Sequence, residues 1–411
     1  MEYIERHISG TVSSSFETFK CVVVTGARQT GKSTLIRHMF PDMRYVPIDD
    51  PLIEEQATLN PRTFMMLNPA PAIYDEVQRA KELFRHIKLV CDATDDRGLF
   101  CLSGSQPLGL MEGASESLAG RAAIMELSGL SLREIQRDSF LEAFLPTWDY
   151  VVERARTATK PDNIWQVIHR GGYPQLQDSR VDWYTFYSSY VKTYLERDVR
   201  ELTAVQDIND FRRFMVAMAA RTGQLLNYAN VASEIGRDQT TIKGWVSILE
   251  TTGIIYILRP YHPTELKRAT KTPKIYFRDT GLASYLTRWL TPETLAVGAA
   301  AGNMFETWVV GEILKSYSNR GIDYHYALNF YRGRDLKSRN EDEIDLIIEQ
   351  DGTLYPIEIK LAERVKAEQT TAFQVIDKVA NKKRGMGAVI CMCPTPDRLR
   401  DNVLTVPAWY L

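Results

Sequence analysis

The chain has 411 residues, a length for two or three domains at about 150 residues each. Apolar residues make up 44% and charged residues 25%, the balance of a globular protein whose domains each have enough chain for a core. A formal net charge of -2 gives no global attraction to nucleic acid, and no apolar run approaches the ~18 residues of a membrane span.

The five cysteines (Cys21, Cys91, Cys101, Cys391 and Cys393) form no C-x-x-C pair and read as core residues of a reducing compartment. Together with the charged, amphipathic start Met-Glu-Tyr-Ile-Glu-Arg-His, this reads as a cytoplasmic protein without a membrane partner.

The first predicted strand begins at Cys21 and runs into Gly26-Ala27-Arg28-Gln29-Thr30-Gly31-Lys32-Ser33, which fits G-x-x-x-x-G-K-[ST] and leads through Thr34 into a helix from Leu35. Glycines let backbone N–H groups close on phosphate oxygens, the lysine neutralises their charge, and the hydroxyl of Ser33 ligates magnesium. The positive end of the following helix faces the same phosphates. ATP and Mg2+ are therefore the expected cofactors.

Arg44–Asp50 reads as a second strand stopped by Pro51, followed by a helical stretch to about Leu67. A third strand, Ala72–Glu76, ends in two carboxylates. Asp75 is placed for the magnesium shell and Glu76 for orienting or deprotonating the attacking water. A fourth, Leu99–Leu102, leads into Ser103-Gly-Ser105-Gln106, where Ser105 or Gln106 is a candidate sensor of the terminal phosphate. Arg121 precedes a fifth strand, Ala123–Leu127, and is a candidate to stabilise phosphoryl-transfer charge in its own subunit or a neighbour's.

The loop, Tyr74-Asp-Glu-Val-Gln78, Ser103-Gly-Ser105 and Ser117-Leu-Ala-Gly-Arg121, in this order, resemble a widespread prokaryotic family of predicted AAA+ superfamily ATPases. The resemblance covers nearly the whole chain. It implies an α/β P-loop core, then a winged helix, then a C-terminal domain similar to PD-(D/E)xK nucleases, and it implies self-association into a homo-oligomer.

The middle, residues 141–270, is predicted to be helical. Gly171-Gly-Tyr-Pro174 is a turn also found in the resembled family, and Tyr184–Leu202 is a long helix whose aromatics read as core. Arg197 and Asp198 in it suit a structural ion pair. Asn227–Gly236, a short turn and Thr240–Leu249 form two helices, and Ile254–Leu258 a wing strand, which together describe a winged helix-turn-helix. From Arg259 to Lys274, five cations (Arg259, Lys267, Arg268, Lys271, Lys274) face one acid, Glu265, and so make double-stranded DNA the candidate partner.

In the last part, residues 271–411, a helix from Asn303 to about Tyr317 carries Glu306 and Glu312 within an apolar arc, where a carboxylate needs a partner or a metal. Glu306 also suits a capping box opened by Asn303. Glu343–Glu349 and Leu354–Lys360 alternate about Asp351-Gly352, a two-residue hairpin signal that puts Asp345 opposite Glu358 with Lys360 on the same face. Two carboxylates across a ladder call for a cation between them. Asp345 and Glu358 are candidate metal ligands, Glu306 a helical acid, and Lys360 a group that positions water, a nuclease-like constellation. Pro356 raises the prospect of a bulge that would shift this register.

The domains expected are thus 1–140 (P-loop ATPase), 141–270 (helical region with winged helix) and 271–411 (nuclease-like). The function expected is Mg-dependent ATP hydrolysis acting on or with DNA. The alternative is an ATP-driven switch for signalling or assembly, with the last domain an inactive binding platform.

Overall fold

The computed structural model describes residues 2–104, 117–195, 208–262, 272–334 and 341–411. Cys21–Thr25 (β1) is buried at every position, as a parallel strand covered on both faces must be. Cys21 and Val23 pack into one core cluster and Val22 and Val24 into another, the alternation of a pleated strand between two layers. With β2 (Arg44–Pro47), β3 (Ala72–Asp75), β4 (Phe100–Ser103) and β5 (Ala122–Glu126) it forms a parallel sheet in the order β2-β3-β4-β1-β5. The helices around it are α1 (Ser9–Thr18), α2 (Lys32–Met39), α3 (Pro51–Leu59), α4 (Pro61–Leu67) and α5 (Leu83–Ala93). The single helical stretch expected to Leu67 is broken at Asn60, because Pro61 brings no N–H and opens a new helix.

In the middle, Trp183–Tyr190 is helical and continues as wider turns over Val191–Leu195, where the described stretch ends. Arg197 and Asp198 lie outside the described residues. Phe186, Tyr187 and Tyr190 are buried around Tyr173, core as expected, whereas Tyr184 is exposed and departs from that reading. Next come a helix Ile208–Ala219, β6 (Gln224–Leu225), helices Tyr228–Ile235 and Gln239–Thr251, and then β7 (Ile255–Leu258) and β8 (Lys274–Phe277). The strands form an antiparallel sheet in the order β6-β8-β7. The boundary expected at residue 270 therefore falls inside a sheet, since β8 pairs with strands on the other side of it.

The helix Ala301–Ser318 opens the last part. It starts two residues before Asn303, which caps nothing, and that corrects the capping-box reading of Glu306. β9 (Leu328–Arg334), β10 (Glu341–Gln350) and β11 (Thr353–Ile359) form an antiparallel meander. Beyond it, β12 (Lys383–Arg384), β13 (Gly387–Cys391), β14 (Asp397–Arg400) and β15 (Val403–Pro407) complete a seven-stranded sheet in which β13 runs parallel to β11. The hairpin turns at Asp351 (φ 51) and Gly352 (φ 75), the two positive φ values a tight two-residue turn requires. Leu346 pairs with Ile357 and Ile347 with Pro356, so Pro356 shifts nothing; the irregularity lies in the β9–β10 pairing, between Ile344 and Ile347. One hydrophobic cluster holds residues from Leu132 to Leu411, so the middle and the last part share packing, while Ile344, Ile347, Leu354, Phe373 and Val389 belong to a second cluster.

Candidate functional site

The loop after β1 is held open by backbone geometry. Gly26 has φ 138, and a Cβ there would stand 2.2 Å from the Leu127 carbonyl oxygen, so no other residue fits between β1 and β5. Gly31 (φ 93) starts α2 with no side-chain cap, which leaves the first N–H groups directed at the loop's concave side. Lys32 Nζ donates to the carbonyls of Gly26 (2.9 Å) and Ala27 (2.8 Å), and Thr30 Oγ1 to Ala27 (2.9 Å). Arg28 and Gln29 complete the loop, Gln29 at φ 61, while Thr34 is exposed on the first turn of α2.

Asp75 ends β3 at 5% exposure. It accepts hydrogen bonds from the hydroxyls of Tyr45 and Ser103, and Tyr45 also bonds Ser33. One phenol oxygen thus reaches both residues predicted to hold magnesium, and burial together with Asp75 pushes that phenol's pKa up. A hydroxyl and a carboxylate this close to the loop are an all-oxygen donor set that fits Mg2+. Glu76 follows at φ 55, a left-handed conformation, with Gln78 Nε2 donating to its Oε2 at 2.5 Å. Ser105 and Gln106 lie outside the described residues. Arg121 stands before β5, level with Cys21 at the start of β1, so the sheet separates it from its own loop; its Nε is 2.5 Å from Asp92 Oδ1.

Sequence reasoning missed the groups that brace this site. Arg6, 4% exposed, donates Nε to Glu134 Oε1 (3.0 Å), Nη1 to the Thr30 carbonyl (2.8 Å) and Nη2 to the Ser128 carbonyl (2.7 Å). Pro174 of the Gly-Gly-Tyr-Pro turn and Gly253, just before β7, approach the loop at Gly31 and Ala27 respectively. Glu126 ends β5 opposite Thr25 and receives the Arg278 guanidinium and the Tyr324 hydroxyl, while its carbonyl accepts Ser318 Oγ at 2.8 Å. Burial acts to raise the Glu126 pKa, but Arg278 and Tyr324 outweigh it and hold the carboxyl below its ordinary value of 4.5. A depressed carboxyl contributes stability above its unfolded value that is lost as pH falls through the folded one. Acid unfolding below about pH 4.5 is therefore expected to be less steep in Glu126→Gln than in the parent chain, as read by circular dichroism against pH.

A second polar centre lies on the last sheet. Lys274, at the start of β8 and 3% exposed, has its Nζ 2.8 Å from Glu343 Oε1, 3.2 Å from Glu306 Oε1 and 3.4 Å from Asp345 Oδ1. Tyr276 OH donates to Glu306 Oε1 at 2.6 Å. Lys360 Nζ is 2.5 Å from Glu358 Oε1 and 3.6 Å from Asp345 Oδ2, and the Ile359 N–H donates to Asp345 Oδ2 at 3.0 Å. The hairpin thus brings Asp345, Glu358 and Lys360 together, and Glu306 joins them from its helix. Lys274 corrects the basic-segment reading: it is buried among acids and faces no phosphate. Of that segment, Lys267, Arg268 and Lys271 lie outside the described residues. Glu312 belongs elsewhere, pairing with Lys315 at 2.8 Å and accepting the Leu132 N–H at 2.8 Å. Burial, then Asp345, push the Glu306 carboxyl up to about 6 and that of Glu358 up to about 8, against the pull of the lysines. Among the described residues no group of three or more His, Cys, Asp or Glu is arranged to hold a metal ion, and none of the described helices is long and apolar enough to cross a membrane.

Parallel sheet, phosphate loop and acid-tipped β3 define a P-loop ATPase core. Residues 18–136 match the family described as AAA domain, in agreement with an ATP-binding ATPase. Residues 161–293 match a domain of unknown function, DUF8612, and 301–411 another, DUF4143. Uncharacterized proteins of Mycobacterium tuberculosis and Mycobacterium bovis are each 26% identical over 392 residues, 94% of this chain and 80% of theirs. Among solved structures, the Walker-type ATPase of Pyrococcus abyssi aligns at a TM-score of 0.43 and 14% identity, over 69% of this chain and 96% of that one. A signal transduction ATPase with numerous domains and a tetratricopeptide repeat sensor, from Pyrococcus horikoshii, aligns at 0.22 and 10%, over 77% and 47%.

Proposed function

We propose that the chain is a magnesium-dependent ATPase that works as a nucleotide-state switch, passing the state of its loop to the two units that follow. The observation that carries this reading is Glu126: it sits on the strand beside the P-loop strand and is gripped by Arg278 at the end of β8 and by Tyr324 of the last unit. Lys32 and the loop N–H groups from Gly26 to Thr34 bind the phosphates, Ser33 and Asp75 would hold the magnesium, and Glu76, oriented by Gln78, takes the proton of the attacking water. Magnesium supplies charge neutralisation at the β- and γ-phosphates when bound. Lys32→Ala is expected to weaken ATP binding by about 100-fold, the loss of two charge-assisted contacts, as read by calorimetry.

The test is amide hydrogen exchange with ATP, with ADP and without nucleotide. Exchange over residues 255–258, 274–278 and 318–327 is expected to change with ATP, and the change to vanish in Glu126→Gln while ATP affinity persists. Identical exchange in all states would sink the switch.

The DNA-directed reading is the second one. The order helix, β6, helix, helix, β7, β8 supports a winged helix, with Gln239, Thr240 and Lys243 exposed on the helix a groove would receive. The meander β9–β11 with β13 parallel to β11 supports a nuclease-like last unit. A duplex-DNA-dependent rise in ATPase rate would move this reading ahead. Self-association remains part of either reading, with Arg121 available to a neighbour's loop once freed from Asp92.

A further inference from the structure

The four carboxylates at the last sheet, three on its strands and Glu306 on the helix Ala301–Ser318, are unlike a metal site in one respect: a protein cation already stands among them. An ammonium has three N–H donors and no acceptor, and Lys274 Nζ has three carboxylates, from Glu343, Glu306 and Asp345, at 2.8, 3.2 and 3.4 Å. These come from β10 and from the helix Ala301–Ser318, whereas the lysine comes from β8 of the neighbouring sheet. The Tyr276 hydroxyl, two residues on and hence on the same face of β8, takes up Glu306 Oε1. A second cation, Lys360, covers Glu358 Oε1 and the far oxygen of Asp345. Glu358 Oε2, on a residue 8% exposed, is the one carboxylate oxygen here buried without a hydrogen-bond partner.

We infer that Lys274 is the resident cation of this cluster: its ammonium stands against Asp345 and Glu306, a metal-ligand candidate and the helical acid of the sequence pattern, while Lys360 stands between Asp345 and Glu358, and while β8 is seated the cluster binds no divalent metal and cuts no phosphodiester. A divalent ion coordinated by Asp345 and Glu306 would meet the ammonium at contact distance, and like charges in a buried site exclude one another. The residue responsible lies outside residues 301–411, the segment that the last family match covers, which is why Asp345, Glu358 and Lys360 alone suggest a metal centre. The inference stands whether or not the chain hydrolyses ATP.

The experiment is a titration of the full chain with Mn2+ alone, free of nucleotide so that the P-loop holds no phosphate-bound metal, read by the electron paramagnetic resonance of free Mn2+. The parent chain is expected to bind no Mn2+ that depends on Asp345, its curve overlaying that of Asp345→Asn. Lys274→Met is expected to bind one Mn2+ at least about tenfold more tightly than the parent, and adding Asp345→Asn is expected to remove it. Lys274→Gln, one atom shorter and neutral but still an N–H donor, carries the same expectation if Lys274→Met does not fold. Saturable binding by the parent chain that Asp345→Asn abolishes would overturn the inference. So would a folded Lys274 variant that still binds no Mn2+, because the lysine would then not be what excludes the metal.

Discussion

Glu76→Gln is expected to lower the rate of ATP hydrolysis by about 100- to 10,000-fold, the usual worth of a positioned general base, while ATP affinity stays within about threefold, since no phosphate contact is removed. Steady-state turnover and equilibrium binding of a fluorescent ATP analogue separate the two. Glu76 is well suited to this assignment because its place is over-determined. The left-handed backbone at φ 55 turns the side chain away from the direction of β3, and Gln78 holds Oε2 at 2.5 Å. Asp75, one residue earlier, is occupied with Tyr45 and Ser103 and is not free for the same role. Turnover within a few-fold of the parent would reassign the base.

Arg6→Ala carries the largest expected loss of stability. The guanidinium is 4% exposed and its partner Glu134 1% exposed, so removal strands a buried carboxylate that also accepts the His7 and Ser131 N–H groups at 2.8 and 2.7 Å. Breaking a buried ion pair from one side costs about 3–5 kcal/mol, and urea unfolding is expected to shift by that amount. Two of the lost hydrogen bonds go to carbonyls at Thr30 and Ser128, so the P-loop should loosen as well, seen as weaker ATP binding in the fraction that folds. A change under about 1 kcal/mol would mean that water replaces the arginine at little cost.

The contrast between these residues shows what could be read from the chain. Lys32, Asp75 and Glu76 were legible because phosphate chemistry fixes their spacing to local elements: a buried strand, a glycine loop, a strand tip. Asp345 and Glu358 were legible because a two-residue turn at Asp351-Gly352 sets the register without tertiary information. Arg6 and Tyr45 left no such mark, and Gln78 entered only as the last residue of the Tyr74–Gln78 motif, without a role. Arg6 meets Glu134 across 128 positions, and an arginine in a charged start has no local periodicity to betray it. Lys274 was misread for a related reason. Among nearby cations it looked like one more phosphate contact, and only the pairing of β8 with β6 and β7 turns it inward. Arg121 was open to a plain argument from sequence order: a residue that precedes a strand of a parallel sheet lies at the edge opposite the loop that follows β1.

The strand β8 has a consequence for how this chain could be divided. Lys274, Tyr276 and Arg278 share one face over about 13 Å at the strand rise, with Lys274 seated in the last sheet's acids and Arg278 in Glu126 of the ATPase sheet. Family boundaries put that strand in the segment 161–293 and the acids it neutralises in the segment 301–411. A fragment cut at residue 301 would therefore inherit Glu306, Glu343, Asp345 and Glu358 without their ammonium, and would have to take up protons or a foreign cation to fold. What looks like an exchangeable module in the sequence carries its charge balance on its neighbour. Measurements on the isolated piece would describe a chemistry the intact chain does not have.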